Sequence, residues 1–222
     1  MENNTPQPQP QGFFETTWQK NKHTIILAAI AIIVPFYQIW TNFNQKEKDK
    51  MTDIKIEQLR IENAEKQAMY NRNLAYIYGA LADVRNKLDA DRCFIIQPHP
   101  PDRHHYVSVI IESNRPGVSA VRDVFQNVPM SDMGEFAKLM STNMWLYFDD
   151  INAQVNDKKA LSLMLIAGSM QIGIRQLTNS KNEWVGSLVV ENIQVKSFEK
   201  VYAMEVIDNC ANRIQYILPP IH

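Results

Sequence analysis

Three of the chain's five histidines, His99, His104 and His105, lie within CFIIQPHPPDRHHYVSVII, residues Cys93 to Ile111, with Asp102 among them. Imidazoles and a carboxylate at such short spacing are the donor types of a zinc site. Two features oppose that chemistry. Successive side chains of an extended segment point to opposite faces, so adjacent His104 and His105 do not readily reach one ion. Pro98, Pro100 and Pro101 stiffen the turn, and neither an HExxH pair nor paired cysteines accompanies it. The favoured reading is an exposed turn between two strands whose histidines titrate near neutral pH. A metal-dependent enzyme using the His99 to His105 turn is the weaker alternative, and no metal ligand is assigned.

Other chemically capable residues are more scattered. Asp149 and Asp150 form a carboxylate pair, but neighbours in an extended segment diverge, and no general acid accompanies them. Ser187 follows a glycine in VGSLV without a GxSxG elbow and falls inside a strand pattern. Cys93 and Cys210 each sit in an apolar context, as buried thiols in a reducing compartment do. Met130, Met133, Met140, Met144, Met164 and Met170 concentrate in one segment, where thioethers can line a pocket, although filling a helical core is their commoner use. Arg115 and Arg122 stand near that segment and could meet an anionic ligand or simply be solvated. No catalytic residue emerges. For a small-molecule ligand the candidate binding residues are Arg115, Arg122, Met130, Met133, Met144, Asp149 and Met164, and the cofactor is unknown.

The elements that would hold these residues differ along the chain. Met1 to Gln11 read MENNTPQPQPQ, with nothing to bury, and residues 1–23 are taken as a disordered tail. Thr24 to Gln45 are 22 residues without a charge, enough to cross a hydrocarbon core of about 30 Å as a helix. Trp18, Tyr37 and Trp40 fall where the two interfaces would lie, and Pro35 is tolerable in such a helix. Lys20 and Lys22 precede the span, and Lys46, Lys48, Lys50 and Lys55 follow it, which places the C-terminal part in the cytoplasm by the positive-inside bias. Residues 46–68 form a charged helical stalk with a thin apolar line of Ile54, Leu59, Ile61 and Ala64. Tyr70, Leu74, Ile77, Leu81, Val84 and Leu88 then repeat at four and three residues, a seam that serves either a dimer or a sheet. A net charge of -1 and the lack of an Arg-rich block argue against nucleic acid as a partner.

Beyond Cys93 the periodicity shortens. CFIIQ and YVSVIIES read as a strand hairpin, and PMSDMGEFAKLM as a helix capped by Ser131. MWLYFDDI is an apolar run, ALSLMLIAGSM a small helix, and MQIGIRQLTNSKNEWVGSLVVENI a second hairpin around TNSKNE. In the closing helix Phe198, Val201, Ile207, Cys210, Ile214 and Ile217 share one stripe, which Pro219 ends. The fold class is α+β, an antiparallel sheet with terminal helices that can pack on one face.

The helix ending in KLDADRCFIIQPH, the DVFQNVPMSDM segment, YFDDI, the link into IRQL and WVGSLVVENI together resemble a GAF domain, over residues 69–218. WVGSLVVE, Trp184 to Glu191, is the most specific piece. Its Gly186 is expected to let the hairpin turn tightly while Leu188 and Val190 fill the core. The resemblance implies a domain that binds a small molecule over the sheet, or binds nothing and dimerises through its terminal helices. The Asn-Lys-Phe-Asp-Glu signature of cyclic-nucleotide binders is absent, and neither cysteine has the neighbouring histidine of bilin binders or lies in a pocket loop as in the sulfoxide reductases. The sequence thus leads to a non-enzymatic, single-pass membrane protein with a cytoplasmic regulatory or sensor domain, homodimeric, with a small-molecule ligand or a protein partner. The alternative is a structural scaffold with a ligand-free GAF-like fold.

Overall fold

The computed structural model describes residues 13–101, 103–194 and 198–219, with side chains from residue 21 onward except that of residue 25. Two units divide the chain, Met1–Glu65 and Lys66–His222. Helix α1, Phe13–Lys87, supplies residues to both. Eleven residues assigned to the tail, 13–23, are therefore helical, while residues 1–12 lie outside the described residues.

In the first unit the side chains of Ile26, Leu27, Ile30, Ile32, Ile33, Phe36 and Trp40 are all exposed. A helix that is apolar all round finds its partner in lipid or in a protein core. Among the described residues one helix is long and apolar enough to cross a membrane, with a mean hydropathy of 1.9. Farther on, Ile54, Leu59 and Ile61 are exposed, and Arg60 pairs with Glu57 at 3.3 Å in full solvent, where such a pair adds little.

The second unit contains, among the described residues, six strands in one antiparallel sheet ordered β3-β2-β1-β6-β5-β4. These are β1 Arg92–His99, β2 Tyr106–Asn114, β3 Val128–Pro129, β4 Trp145–Phe148, β5 Gln171–Thr178 and β6 Trp184–Asn192. The middle of central β1, Cys93 to Ile96, is an apolar run because both its faces are covered. Cys93 and Ile95 join Leu188 and Val190 beneath Ile77, Leu81, Val84 and Leu88 of α1 and Ile207, Cys210 and Ile214 of α5 (Lys200–Ile214). Phe94 and Ile96 face the other way, toward α2 (Gly134–Thr142), α3 (Ile151–Gln154) and α4 (Lys158–Ile166). The heptad-like seam of α1 thus covers the sheet from Ile77 onward, whereas Tyr70 is 43% exposed.

Several local details depart from the sequence reading. Ser131 caps nothing: Met130–Met133 is a 3-10 turn, and α2 begins after Met133 without a side-chain cap. Asp157 takes that role, because Oδ1 accepts from the α4 amides of Lys159 and Ala160 at 3.1 and 3.0 Å while Oδ2 accepts from Phe136 of α2 at 3.2 Å. Val201 is 71% exposed rather than part of the α5 stripe, and Ala203 and Ala211 are buried there instead. Gly186 lies within β6 and makes no turn. A Cβ there would stand 2.9 Å from the Ile96 carbonyl oxygen, so glycine is required by the close approach of β1.

Candidate functional site

The histidine turn is built by β1 and β2, and its rings go to separate neighbours. His99 Nε2 lies 2.9 Å from Ser108 Oγ, and its ring stacks on Tyr106 at 5.7 Å. The His104 ring meets Trp184 edge-on at 5.9 Å, and that of His105 meets Tyr106 at 6.5 Å. Asp102 lies outside the described residues. Among the described residues no group of three or more His, Cys, Asp or Glu side chains gathers as a metal-holding set. Partial burial lowers the His99 pKa from its ordinary 6.5, which favours the neutral ring.

The seven candidate ligand residues do not form one site. Met133 and Met164 are buried in the core between the sheet and α2 to α4, with Met130 packed at its margin. Met144 is 60% exposed, and Asp149 is exposed beside Tyr147. Arg122 is exposed and lines a cavity of about 640 Å³ with His99 and Gln97. Arg115 is committed to structure: it pairs with Asp89, donates to the Asp89 carbonyl at 2.8 Å, and its Nε lies 3.6 Å from Asp91. Of the neighbouring candidates, Met140 is buried and Met170 is 41% exposed, while Asp150 caps α3 by accepting from Asn152 at 2.9 Å.

A buried polar network that the sequence reading missed occupies the opposite end of the sheet. Arg92 forms an ion pair with Glu191, and both are 1% exposed. Arg92 also donates to the carbonyls of Ser119 at 3.2 Å and Ala167 at 2.7 Å, while Ser169 Oγ donates to Glu191 at 2.6 Å. Burial pushes the Glu191 carboxyl up against the pull of Arg92. Nearby, buried Asp91 accepts from the Ile193 amide at 2.9 Å. Asn192 donates to Gln171 at 3.1 Å, Gln171 donates to Tyr147 Oη at 2.8 Å, and Tyr147 donates to the Phe198 carbonyl at 3.0 Å. Burial, followed by the Asp149 carboxylate, drives the Tyr147 phenol to about 12. The only sequence signal was charge inside strand patterns, Arg92 before CFII and Glu191 after LVV.

The thiols offer no nucleophile. Burial raises Cys93 well above its usual value and Cys210 to about 11, so both stay protonated at neutral pH.

Six antiparallel strands in this order, covered on one face by α1 and α5 and on the other by short helices, can be set beside solved structures. A cyanobacteriochrome receptor, PixJ, superposes with a TM-score of 0.55 at 13% identity, covering 66% of this chain and 95% of that one. The GAF domain of PixJ from Thermosynechococcus elongatus gives 0.55 at 12%, covering 67% and 88%. The phycocyanobilin-bound GAF domain of a cyanobacterial phytochrome gives 0.51 at 19%, covering 67% and 93%. The fold is that of a GAF domain. At these identities the likeness is one of fold, in agreement with the resemblance drawn from the sequence. The sequence matches no protein-family model and no curated protein.

In this GAF fold the face opposite α1 and α5 is filled by its own side chains. Met133, Phe136, Met140, Phe148 and Met164 are each at most 9% exposed. Two openings, of about 700 and 640 Å³, lie instead at the end of the sheet where β1 ends, the first of them also where β6 begins.

Proposed function

We propose that the chain is a membrane-anchored, non-enzymatic regulatory protein that holds a GAF-fold domain in the cytoplasm and acts as a homodimer through its terminal helices. The observation that carries this is the composition of α1. One helix contains both the charge-free stretch of membrane-spanning hydropathy and the Ile77 to Leu88 seam packed on the sheet beside α5. A change at that seam would bias the packing of α1 against α5, which is the differential interaction a regulatory equilibrium needs. The excess of lysines after the span supports the cytoplasmic orientation. The existence of a phycocyanobilin-bound domain with this fold supports a small molecule as the regulating ligand.

Fusions to the C-terminus test the topology. A fluorescent protein that matures only in the cytoplasm is expected to light up in a carbonate-resistant membrane fraction, and a periplasm-dependent phosphatase fusion is expected to stay silent. The reverse pattern overturns the orientation, and recovery in the soluble fraction overturns the anchor. A second reading, a scaffold with a filled interior, draws support from the buried Met133, Met140 and Met164. Native mass spectrometry of the detergent-solubilised chain, before and after denaturation, separates the two. A small molecule released on unfolding favours the sensor, and a clean dimeric apo mass favours the scaffold.

A further inference from the structure

Arg122 lies between β2 and β3, where Glu112 Oε2 accepts from the main-chain amides of Val121 and Arg122 at 3.0 and 3.2 Å and ties this segment to β2. The Glu112 carboxylate is thus spent on backbone. The Arg122 side chain is exposed and, among the described residues, forms no ion pair. It lines the cavity of about 640 Å³ bounded by β2, this segment and the part of α1 that carries Tyr70 and Leu74. No aspartate, glutamate or lysine lines that cavity among the described residues, so Arg122 sets the sign of its charge. The remaining wall divides by kind. Tyr70, Leu74 and Ile110 supply apolar surface, whereas Asn127 and His99, a ring held toward its neutral form by partial burial, supply uncharged polar groups.

One guanidinium beside an apolar wall selects a ligand by both its charge and its body. Inorganic phosphate carries more charge than a single arginine balances and gains nothing from Tyr70 or Leu74. A monocarboxylate matches the guanidinium fork with two oxygens and can bury the rest of the molecule. The volume falls within the roughly 300–1,000 Å³ usual for small-molecule sites. We propose that this cavity binds a small organic monocarboxylate, with its carboxylate on Arg122 and its apolar body against Tyr70, Leu74 and Ile110. The proposal names a ligand class for the regulatory reading above and rests on that reading for its consequence. Such a ligand joins α1 to the segment between β2 and β3, so its occupancy would bias how α1 is held on the sheet.

The test titrates the full chain in detergent with para-fluorobenzoate, followed by its fluorine resonance against protein-free micelles. The amidine of the same shape and opposite charge, para-fluorobenzamidine, is titrated separately. Saturable one-to-one binding of para-fluorobenzoate is expected, with a dissociation constant on the order of 1 mM or tighter, and the amidine is expected to stay silent. Binding should weaken about tenfold or more in Arg122→Gln, and by less in Arg122→Lys, which keeps the charge and loses the fork. Tyr70→Ala should weaken it severalfold through lost apolar contact. Arg122 and Tyr70 are exposed, so all three variants are expected to keep the wild-type melting temperature. Absence of saturable binding, equal binding of the amidine, or affinity unchanged in Arg122→Gln overturns the site. Displacement by inorganic phosphate as effective as that by unlabelled benzoate overturns the choice of a monocarboxylate. The oligomeric state is read from the same sample without ligand, so a dimer that binds no benzoate sinks the site and leaves the regulatory reading standing.

Discussion

On one face of the sheet, α1 and α5 close over Cys93, Ile95, Leu188 and Val190 with a mostly aliphatic interface. The other face combines a core rich in Met and Phe with the fully buried Arg92–Glu191 pair under the carbonyls of Ser119 and Ala167. The first face is made by two long elements, each with a stripe. The second is assembled from α2, α3, α4 and the loops between them, and polar groups supply what short helices cannot. Asp157 ties α2 to α4, and Arg92 ties two loops to β1. Apolar packing tolerates exchange of shape, whereas a buried charge tolerates little, because its partner is left behind when it is removed.

The sharpest way to break this contrast is to unpair the charge. Arg92→Met leaves Glu191 buried without its partner and is expected to cost about 3–5 kcal/mol in urea unfolding. Adding Glu191→Leu should recover most of that loss, since an apolar pair needs no compensation. Equal instability of the single and double variants would mean that the Ser119 and Ala167 carbonyls, rather than Glu191, are what Arg92 serves.

Truncations on the two faces compare their packing directly. Ile207 on the sheet-facing side of α5 and Met133 on the far face are both 0% exposed, and each change to Ala is expected to cost about 2–5 kcal/mol. If the far face were a ligand pocket in waiting, Met133→Ala would be much the cheaper and would open a cavity. The same pair of melts therefore separates a filled interior from an adaptable one.

Between the faces lies the backbone of the sheet itself, and two glycines grade it. Gly186→Ala drives a methyl to 2.9 Å from the Ile96 carbonyl and is expected to cost about 1–3 kcal/mol. In Gly173→Ala the new carbon meets Ile207, Phe198 and Tyr147 at ordinary distances of 3.6–3.8 Å, so less than about 1 kcal/mol is expected in thermal melts. Similar costs would show that β6 can shift away from β1 at that point.

Legibility in the sequence followed the same division. The α1 seam and most of the α5 stripe were visible because one side of a long helix repeats at 3.6 residues, and both hairpins because their turns are polar. Val201 is exposed although Phe198 and Ala203 on either side of it are buried, because six residues at about 100° each place it about 120° round the helix from Ile207, off the stripe. Local chemistry favours Ser131 as a cap, but a 3-10 turn intervenes, and Asp157 reaches α2 across 21 residues of sequence. Such a contact has no local signature. The candidate ligand methionines are hard to sort from sequence for a related reason: methionine is the same residue whether it lines a pocket or plugs it, and the burial of Met133 and Met164 is visible only in the packing.

The smallest expected effect concerns the end of the sheet where both faces meet solvent. Partial burial beside Tyr106 and Ser108 lowers the His99 pKa below 6.5, so on acidification the unfolded chain binds its proton before the folded one does. Stability from this group is complete above about pH 6.5 and drains as pH falls through the lowered folded value, because stability rises with pH wherever the unfolded state holds more protons. Melting temperatures of the wild-type chain and His99→Gln are expected to diverge in slope between pH 7 and pH 5, with the flatter profile in the variant. Parallel profiles would place the ring in water, and then the contrast between sealed faces and an open sheet end would extend to His99 itself.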